Sequence, residues 1–238
     1  TESAMLRSLV GSEMCIRDIT TPTQSNTSAE NHALRIEAQP IGLFETPIAY
    51  GRLKDADEVM KELEDVIRKR KTVSKGLSRS NLGGWHSESD MLEWGGPAAQ
   101  RLAEATVKIA KRMSHFKESS TEDRQWIVRM WANVTPAGGL KLLHSHPGNL
   151  WAAVLYIDMG HKNEQDSRDA GGNFYLEDPR FPMAAMRDTA LRMRGVDGQP
   201  QQYQTEIQLQ RGNLILFPAW LRHGVRTYTG NENGSLSQ

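Results

Sequence analysis

Alternation of apolar and polar residues after Gln125 is the feature that most restricts the fold of this chain. Residues 203–209 place Tyr, Thr, Ile and Leu at every second position, with Gln and Glu between them. Successive side chains of a strand point to opposite faces, so this period of two predicts a strand with one buried face and one solvent-exposed face. Residues 150–157 are continuously apolar, as in a strand covered on both faces. Gly and Pro separate such segments, and the pattern predicts seven or so short strands in a sandwich or barrel.

Two stretches before Gln125 show the helical period instead. Asp55 is expected to cap the first helix, and Pro97 is placed to open the second. The first helix should bury a stripe that consists of Val59, Met60, Leu63, Val66 and Ile67. Residues 74–96 lack a clear period and predict a long loop that carries Trp85 and His86. The expected class is therefore α+β and mainly β, with the helices packed on one face of the strands.

The N-terminal segment, residues 1–38, is rich in Ser, Thr, Asn and Gln and has no sustained period. This composition predicts a disordered tail. Residues 10–18 look like a translated sequencing-adaptor peptide, so the tail is expected to be partly artefactual. The expected organisation is this tail followed by one domain over residues 39–238.

Composition narrows the partners and the compartment. The 29 basic residues equal the 29 acidic ones, and no basic patch with interleaved aromatics argues for nucleic acid. The single cysteine, Cys15, favours a reducing cytoplasmic compartment and excludes an internal disulfide. No apolar run approaches the ~20 residues of a membrane span, which predicts a soluble protein. Residues 41–50 predict an edge strand, marked by Pro47, that a second copy could extend into a homodimer.

The chemistry is expected at a His-x-His pair, His144 and His146. On a regular strand, alternate residues share a face and lie about 6.6 Å apart at the backbone, close enough to converge on one ion. The same alternation places Leu142 on the face of the histidines and Lys141 on the opposite face. A third histidine, His223, follows the apolar segment 214–217, where an unligated imidazole would need other partners. These three histidines predict a mononuclear metal site.

At these motifs the chain resembles a family, the 2-oxoglutarate- and Fe(II)-dependent oxygenases. The His-x-His pair and the segment Phe-Pro-x-Trp-Leu-x-His are its most specific parts. The matching stretches are residues 80–87, 131–134, 144–147, 154–157, 177–180 and 212–223. They follow one another in order over most of residues 40–230, so the resemblance covers the whole domain.

The resemblance implies a double-stranded β-helix, also called a jelly roll or cupin-like core, and an oxidoreductase that hydroxylates its substrate. His144 and His223 would be ligands of Fe(II), and His146 would take the place where most of the wider superfamily has a carboxylate. Asp178 is an alternative source of that carboxylate. The implied reaction consumes dioxygen and 2-oxoglutarate and releases succinate, with the substrate open between a small molecule and a protein side chain.

The resemblance also implies residues that hold the co-substrate. Asn133 and Tyr156 match motif positions that line the core. Relatives usually carry an Arg about ten residues after the last histidine, whereas this chain has Asn233 there. Either the C-terminus of the sequence is truncated or garbled, or another cation serves; Arg226 is then the expected substitute, with Arg129 and Arg180 as alternatives. The missing Arg leaves two other functions open: a cupin-like three-histidine metalloenzyme that does not use 2-oxoglutarate, and a non-catalytic metal-binding jelly-roll module.

Overall fold

The structure is a computed structural model that describes residues 37–116, 125–160, 170–181 and 188–230, together with the backbone of 235–237. The compact unit spans Pro40–Gln238. The expected tail of residues 1–38 lies almost wholly outside the described residues and stays a prediction. The described helices are α1 (Asp57–Val73), α2 (Met91–Trp94) and α3 (Gly96–Arg112). The described strands are β1 (Ala49–Arg52), β2 (Asn81–Leu82), β3 (Trp85–His86), β4 (Asn133–Thr135), β5 (Leu140–His144), β6 (Trp151–Asp158), β7 (Phe174–Glu177), β8 (Gln204–Ile207), β9 (Asn213–Pro218), β10 (His223–Val225) and β11 (Ser235–Ser237).

The strands form two antiparallel sheets. One has the order β1-β9-β6-β11-β4-β3, and the other has the order β2-β5-β10-β7-β8. From β4 onward the chain passes back and forth between the two sheets, so that β4, β6, β9 and β11 lie in the first while β5, β7, β8 and β10 lie in the second. This winding is that of a jelly roll, and it confirms the predicted fold class.

The helices cover the six-stranded sheet. Met60, Leu63 and Ile67 of α1 are buried in a cluster with residues of α3 and with Leu155 and Ile157 of β6. The apolar stripe of α1 is therefore confirmed. The expected cap is wrong: α1 begins at Asp57, its N-cap is Ala56, and no side chain caps it. The first turn has acidic residues that complement the helix dipole instead.

A second cluster fills the space between the sheets. Tyr156 of β6 and Phe217 of β9 come from one sheet, and Phe174 and Leu176 of β7 come from the other. Alternation along β6 separates the two clusters, because Leu155 and Ile157 face the helices while Tyr156 faces the opposite sheet. Polar side chains at inward-facing positions of either sheet therefore point into the same interior space.

The segment expected to be one long loop, residues 74–96, contains β2, β3 and α2. The two short strands are only two residues each, too short to show a period in the sequence. β1 lies at the edge of the six-stranded sheet, as predicted, but it spans Ala49–Arg52, so only its first two residues fall within the predicted range 41–50. In the described part of the chain, no helix combines the length and the apolarity that a bilayer crossing requires.

Candidate metal and co-substrate site

A bulge between β5 and β10 sets the geometry of the site. His144 pairs with His223, and Lys141 pairs with Val225, so three steps along β5 match two steps along β10. The extra residue reverses the alternation within β5. Lys141 and His144 therefore share the inward face, whereas Leu142 is 47% exposed. The expectation from regular alternation, with Leu142 inward and Lys141 outward, is wrong because it assumed an unbroken strand.

The three predicted histidines come together at this end of the sheets. One ligand nitrogen from each of His144, His146 and His223 lies within 4.8 Å of the other two. The ring centroids of His144 and His223 are 4.3 Å apart, and the ring of His146 lies 5.1 and 5.0 Å from those two. Within the described residues, this is the one group of His, Cys, Asp or Glu side chains with the spacing for a shared ion.

Backbone hydrogen bonds orient two of the three imidazoles. Nδ1 of His144 lies 2.8 Å from the carbonyl oxygen of Leu142, and Nδ1 of His223 lies 2.9 Å from that of Leu221. A carbonyl only accepts, so each Nδ1 carries the proton and donates it, which assigns the lone pair to Nε2. Histidines that ligate metals are held in this way. The donor set therefore fits a metal that accepts imidazole nitrogen.

Burial keeps the histidines neutral. It lowers the pKa of His146 to about 4 and that of His223 to about 3, and it also lowers the pKa of His144. Neutral imidazole is the ligating form, so no proton has to leave when a metal binds at neutral pH. The rings of Phe174 and Phe217 lie 5.7 and 4.6 Å from the ring of His223 and form an apolar wall behind it.

His86 is a site-lining residue that the sequence interpretation assigned to a loop. It is buried on β3 opposite Asn133, and its ring stacks on that of Trp131 at 5.7 Å. Trp131 in turn lies 5.4 Å from the ring of His146. Burial lowers the pKa of His86 to about 4. The only signal in the sequence was its place in the matched stretch 80–87, since two residues of strand have no readable period.

Two of the expected co-substrate residues face the interior. Ser237 of β11 pairs with Asn133 on one side and with Tyr156 on the other, so Asn133 and Tyr156 lie two strands apart at the same level of the sheet. The side chain of Asn133 accepts a hydrogen bond from Nζ of Lys141, which crosses from the opposite sheet. The hydroxyl of Tyr156 is fully buried and has no hydrogen-bond partner among the described residues. A buried hydroxyl without a partner is unfavourable in a folded chain and suits a position that contacts a ligand.

The expected arginines lie elsewhere. The guanidinium of Arg226 is 41% exposed, donates to Glu206 at 2.7 Å and to Gln204 at 2.8 Å, and covers the ring of Tyr175. Arg180 makes two hydrogen bonds to Asp178, and these hold the pKa of that carboxyl below its usual range. Asp178 is thus engaged by Arg180 rather than by the histidines. Arg129 is exposed, and Asn233 lies outside the described residues.

Comparisons with known proteins agree with this geometry. Residues 129–235 match the family described as "Putative 2OG-Fe(II) oxygenase", a stretch that contains all three histidines. Among proteins with curated descriptions, no sequence matches the chain. Two solved structures are similar. One is a prolyl hydroxylase from Trichoplax adhaerens, in complex with a peptide fragment of the hypoxia inducible factor oxygen degradation domain (13% identity, 80% of each chain, TM-score 0.54). The other is a prolyl-4-hydroxylase from Pseudomonas putida (12% identity, 81% of this chain and 89% of that one, TM-score 0.50).

At these identities the two structures establish the fold alone. The family match spans the strands from β4 to the start of β11, and the histidines within it converge as a metal site requires. Over residues 129–235 the chain is therefore similar to the 2-oxoglutarate- and Fe(II)-dependent oxygenases.

Proposed function

We propose that this oxygenase is a hydroxylase whose iron is held by His144, His146 and His223. When bound, Fe(II) supplies the redox chemistry by which 2-oxoglutarate, dioxygen and a substrate C–H group become succinate, carbon dioxide and an alcohol. The single observation that carries the proposal is the convergence of three imidazoles, of which His223 is buried and the other two are partly buried, with two of the three oriented through Nδ1 by backbone carbonyls.

The protein's own contribution is orientation and exclusion of water. Leu142 and Leu221 fix the rotation of His144 and His223 through their carbonyl oxygens, so Nε2 of each faces the shared centre. Phe174 and Phe217 keep the far side of His223 dry. With three neutral ligands the site retains the full charge of the ion, one unit more positive than a site with two histidines and a carboxylate, which strengthens its attraction for an anionic co-substrate.

The inward residues beside the metal site are proposed to contact 2-oxoglutarate. Tyr156 has a hydroxyl that lacks a protein partner among the described residues, and Asn133 presents an amide at the same level of the sheet. Each offers a donor to a carboxylate oxygen. Arg226, the third residue expected from the sequence, is paired with Glu206 and partly exposed. This pairing argues against a role for Arg226 in the interior.

Turnover of 2-oxoglutarate tests the function without knowledge of the substrate. Wild-type protein with Fe(II), ascorbate, 2-oxoglutarate and dioxygen should release succinate and carbon dioxide slowly, and His144→Ala should reduce this release at least about 100-fold. His115→Ala is the matched control, because His115 is exposed and is not part of the three-histidine group. Metal binding without succinate release would favour a three-histidine metalloenzyme that uses another reaction. If none of the histidine variants loses metal binding, a structural role for the histidines is favoured.

The cytosol is the proposed compartment, because the single cysteine argues against disulfide-dependent folding and Fe(II) requires reducing conditions. β1 provides an edge with an exposed Tyr50, and a homodimer that extends this edge is proposed on that basis. Sedimentation velocity of wild type and of Arg52→Pro, which removes a backbone donor that points away from β9, tests that arrangement.

A further inference from the structure

Lys141 is a buried cation without a counter-ion. It is 7% exposed, and it is the one Lys or Arg in the buried class among the described residues. Its ammonium has three donors, of which one reaches the amide oxygen of Asn133. No carboxylate of the described residues lies within ion-pair distance of it. Since a buried charge is strongly unfavourable unless it is paired, Lys141 is a feature that the fold of the chain alone leaves unexplained.

The bulge places this cation beside the metal site. Lys141 and His144 are three positions apart, about 10 Å along a regular strand, and the bulge turns both side chains into the space between the sheets. Nζ of Lys141 extends across that space to Asn133 on the opposite sheet. Lys141 therefore lies further from this end of the sheets than His144 and His223, which stand at the end of β5 and the start of β10.

The surrounding polar groups form a set that suits a carboxylate. Asn133 and Tyr156 flank the same residue of β11, so their backbones lie about 10 Å apart with both side chains inward. Lys141 contributes the positive charge, and the Tyr156 hydroxyl contributes a donor that lacks a partner among the described residues. Burial also lowers the pKa of Lys141 to about 8, which a bound anion would reverse.

We infer that the Lys141 ammonium binds the distal carboxylate of 2-oxoglutarate, with help from the Tyr156 hydroxyl. This inference rests on the proposed function, which places the 2-oxo acid end of the same molecule at the histidines. The second carboxylate of 2-oxoglutarate supplies the counter-ion that Lys141 lacks. Lys141 in turn makes the site selective for a 2-oxo acid with a second carboxylate. The role expected of Arg226 passes to a residue on a different strand.

Binding measurements without turnover test the assignment. The full chain is loaded with Mn(II) under anaerobic conditions, and 2-oxoglutarate and 2-oxovalerate are titrated calorimetrically. 2-Oxovalerate keeps the 2-oxo acid and replaces the distal carboxylate with a methyl group. Wild type should bind 2-oxoglutarate at least about 30-fold more tightly, the effect of one buried charge-assisted hydrogen bond. Lys141→Met should reduce this preference to less than about fivefold, and Lys141→Arg should retain most of it.

Three results would overturn the assignment: a wild type that binds the two acids equally, a Lys141→Met variant that keeps the preference, or an Arg226→Ala variant that loses it. The first of these results is measured on wild type, so it does not depend on whether a variant folds. Mn(II) binding, followed by electron paramagnetic resonance, reports separately on the histidines. A wild type that binds Mn(II) but neither 2-oxo acid contradicts the proposed function itself, whereas equal binding of both acids contradicts only the role of Lys141.

Discussion

Replacing Lys141 with Met should remove one component of the pH dependence of folding. Burial lowers the pKa of Lys141 from 10.5 to about 8 in the folded chain, while the unfolded chain keeps the ordinary value. Below pH 8 both states are protonated. Between pH 8 and 10.5 the unfolded state holds a proton that the folded state has released, so the free energy of unfolding rises with pH.

The size of this rise follows from the two values. The difference between 10.5 and about 8, at about 1.4 kcal/mol for each pH unit, amounts to about 3 kcal/mol. About 2 kcal/mol of it is gained between pH 7.5 and pH 10. Because Lys141 is almost fully buried, solvent screens this effect little.

Urea unfolding of the metal-free protein at pH 7.5 and pH 10 measures the effect. Other lysines and tyrosines titrate in the same range, so the quantity of interest is the change in wild type minus the change in Lys141→Met. We expect wild type to gain about 2 kcal/mol relative to the variant. A difference below about 0.5 kcal/mol would refute the reasoning, because it would mean that Lys141 is solvated or already paired with an anion.

Four further outcomes are expected. Tyr156→Phe should leave the free energy of unfolding unchanged or raise it by up to about 1 kcal/mol, because the lost hydroxyl has no partner among the described residues, yet it should weaken 2-oxoglutarate binding several-fold in the Mn(II) titration. Gly224→Ala should destabilise the fold by about 1–3 kcal/mol and weaken Mn(II) binding, since its Cβ would lie 2.8 Å from the carbonyl oxygen of Lys141. Leu63→Ala should lower the free energy of unfolding by about 2–5 kcal/mol in urea while Mn(II) affinity stays unchanged. The metal-free protein should lose stability as pH falls from 6.5 to about 4, because over this range the unfolded state binds a proton at partly buried His146 that the folded state does not bind, and a urea midpoint that is flat over this range would contradict the prediction.

The three-histidine group was predictable because its signal is local. His144 is the last residue of β5, His146 lies two residues further on, and His223 follows the apolar segment 214–217. The stripe of α1 was predictable for the same reason, since helical spacing places Met60 and Leu63 on one face. In each case the period of a single element decides which side chains are buried.

Lys141 was not predictable from its own strand. Regular alternation places it outward, and the bulge that turns it inward arises from pairing with β10, about 80 residues further along the chain. A bulge depends on two partners, so one strand's sequence does not reveal it. The missed role of His86 has a similar cause, because β3 is two residues long and is defined by its pairing with β4. The wrong cap at Asp55 reflects a residue with a positive φ of 50°, outside the extended backbone of an N-cap.

The most direct test of the three-histidine oxygenase site is anaerobic absorption spectroscopy of the full chain. Fe(II) and 2-oxoglutarate together should produce a weak visible charge-transfer band that neither produces alone. The band should be absent in His144→Ala and His223→Ala and present in His115→Ala. Stoichiometric Fe(II) binding to wild type with no band on addition of 2-oxoglutarate would contradict the account.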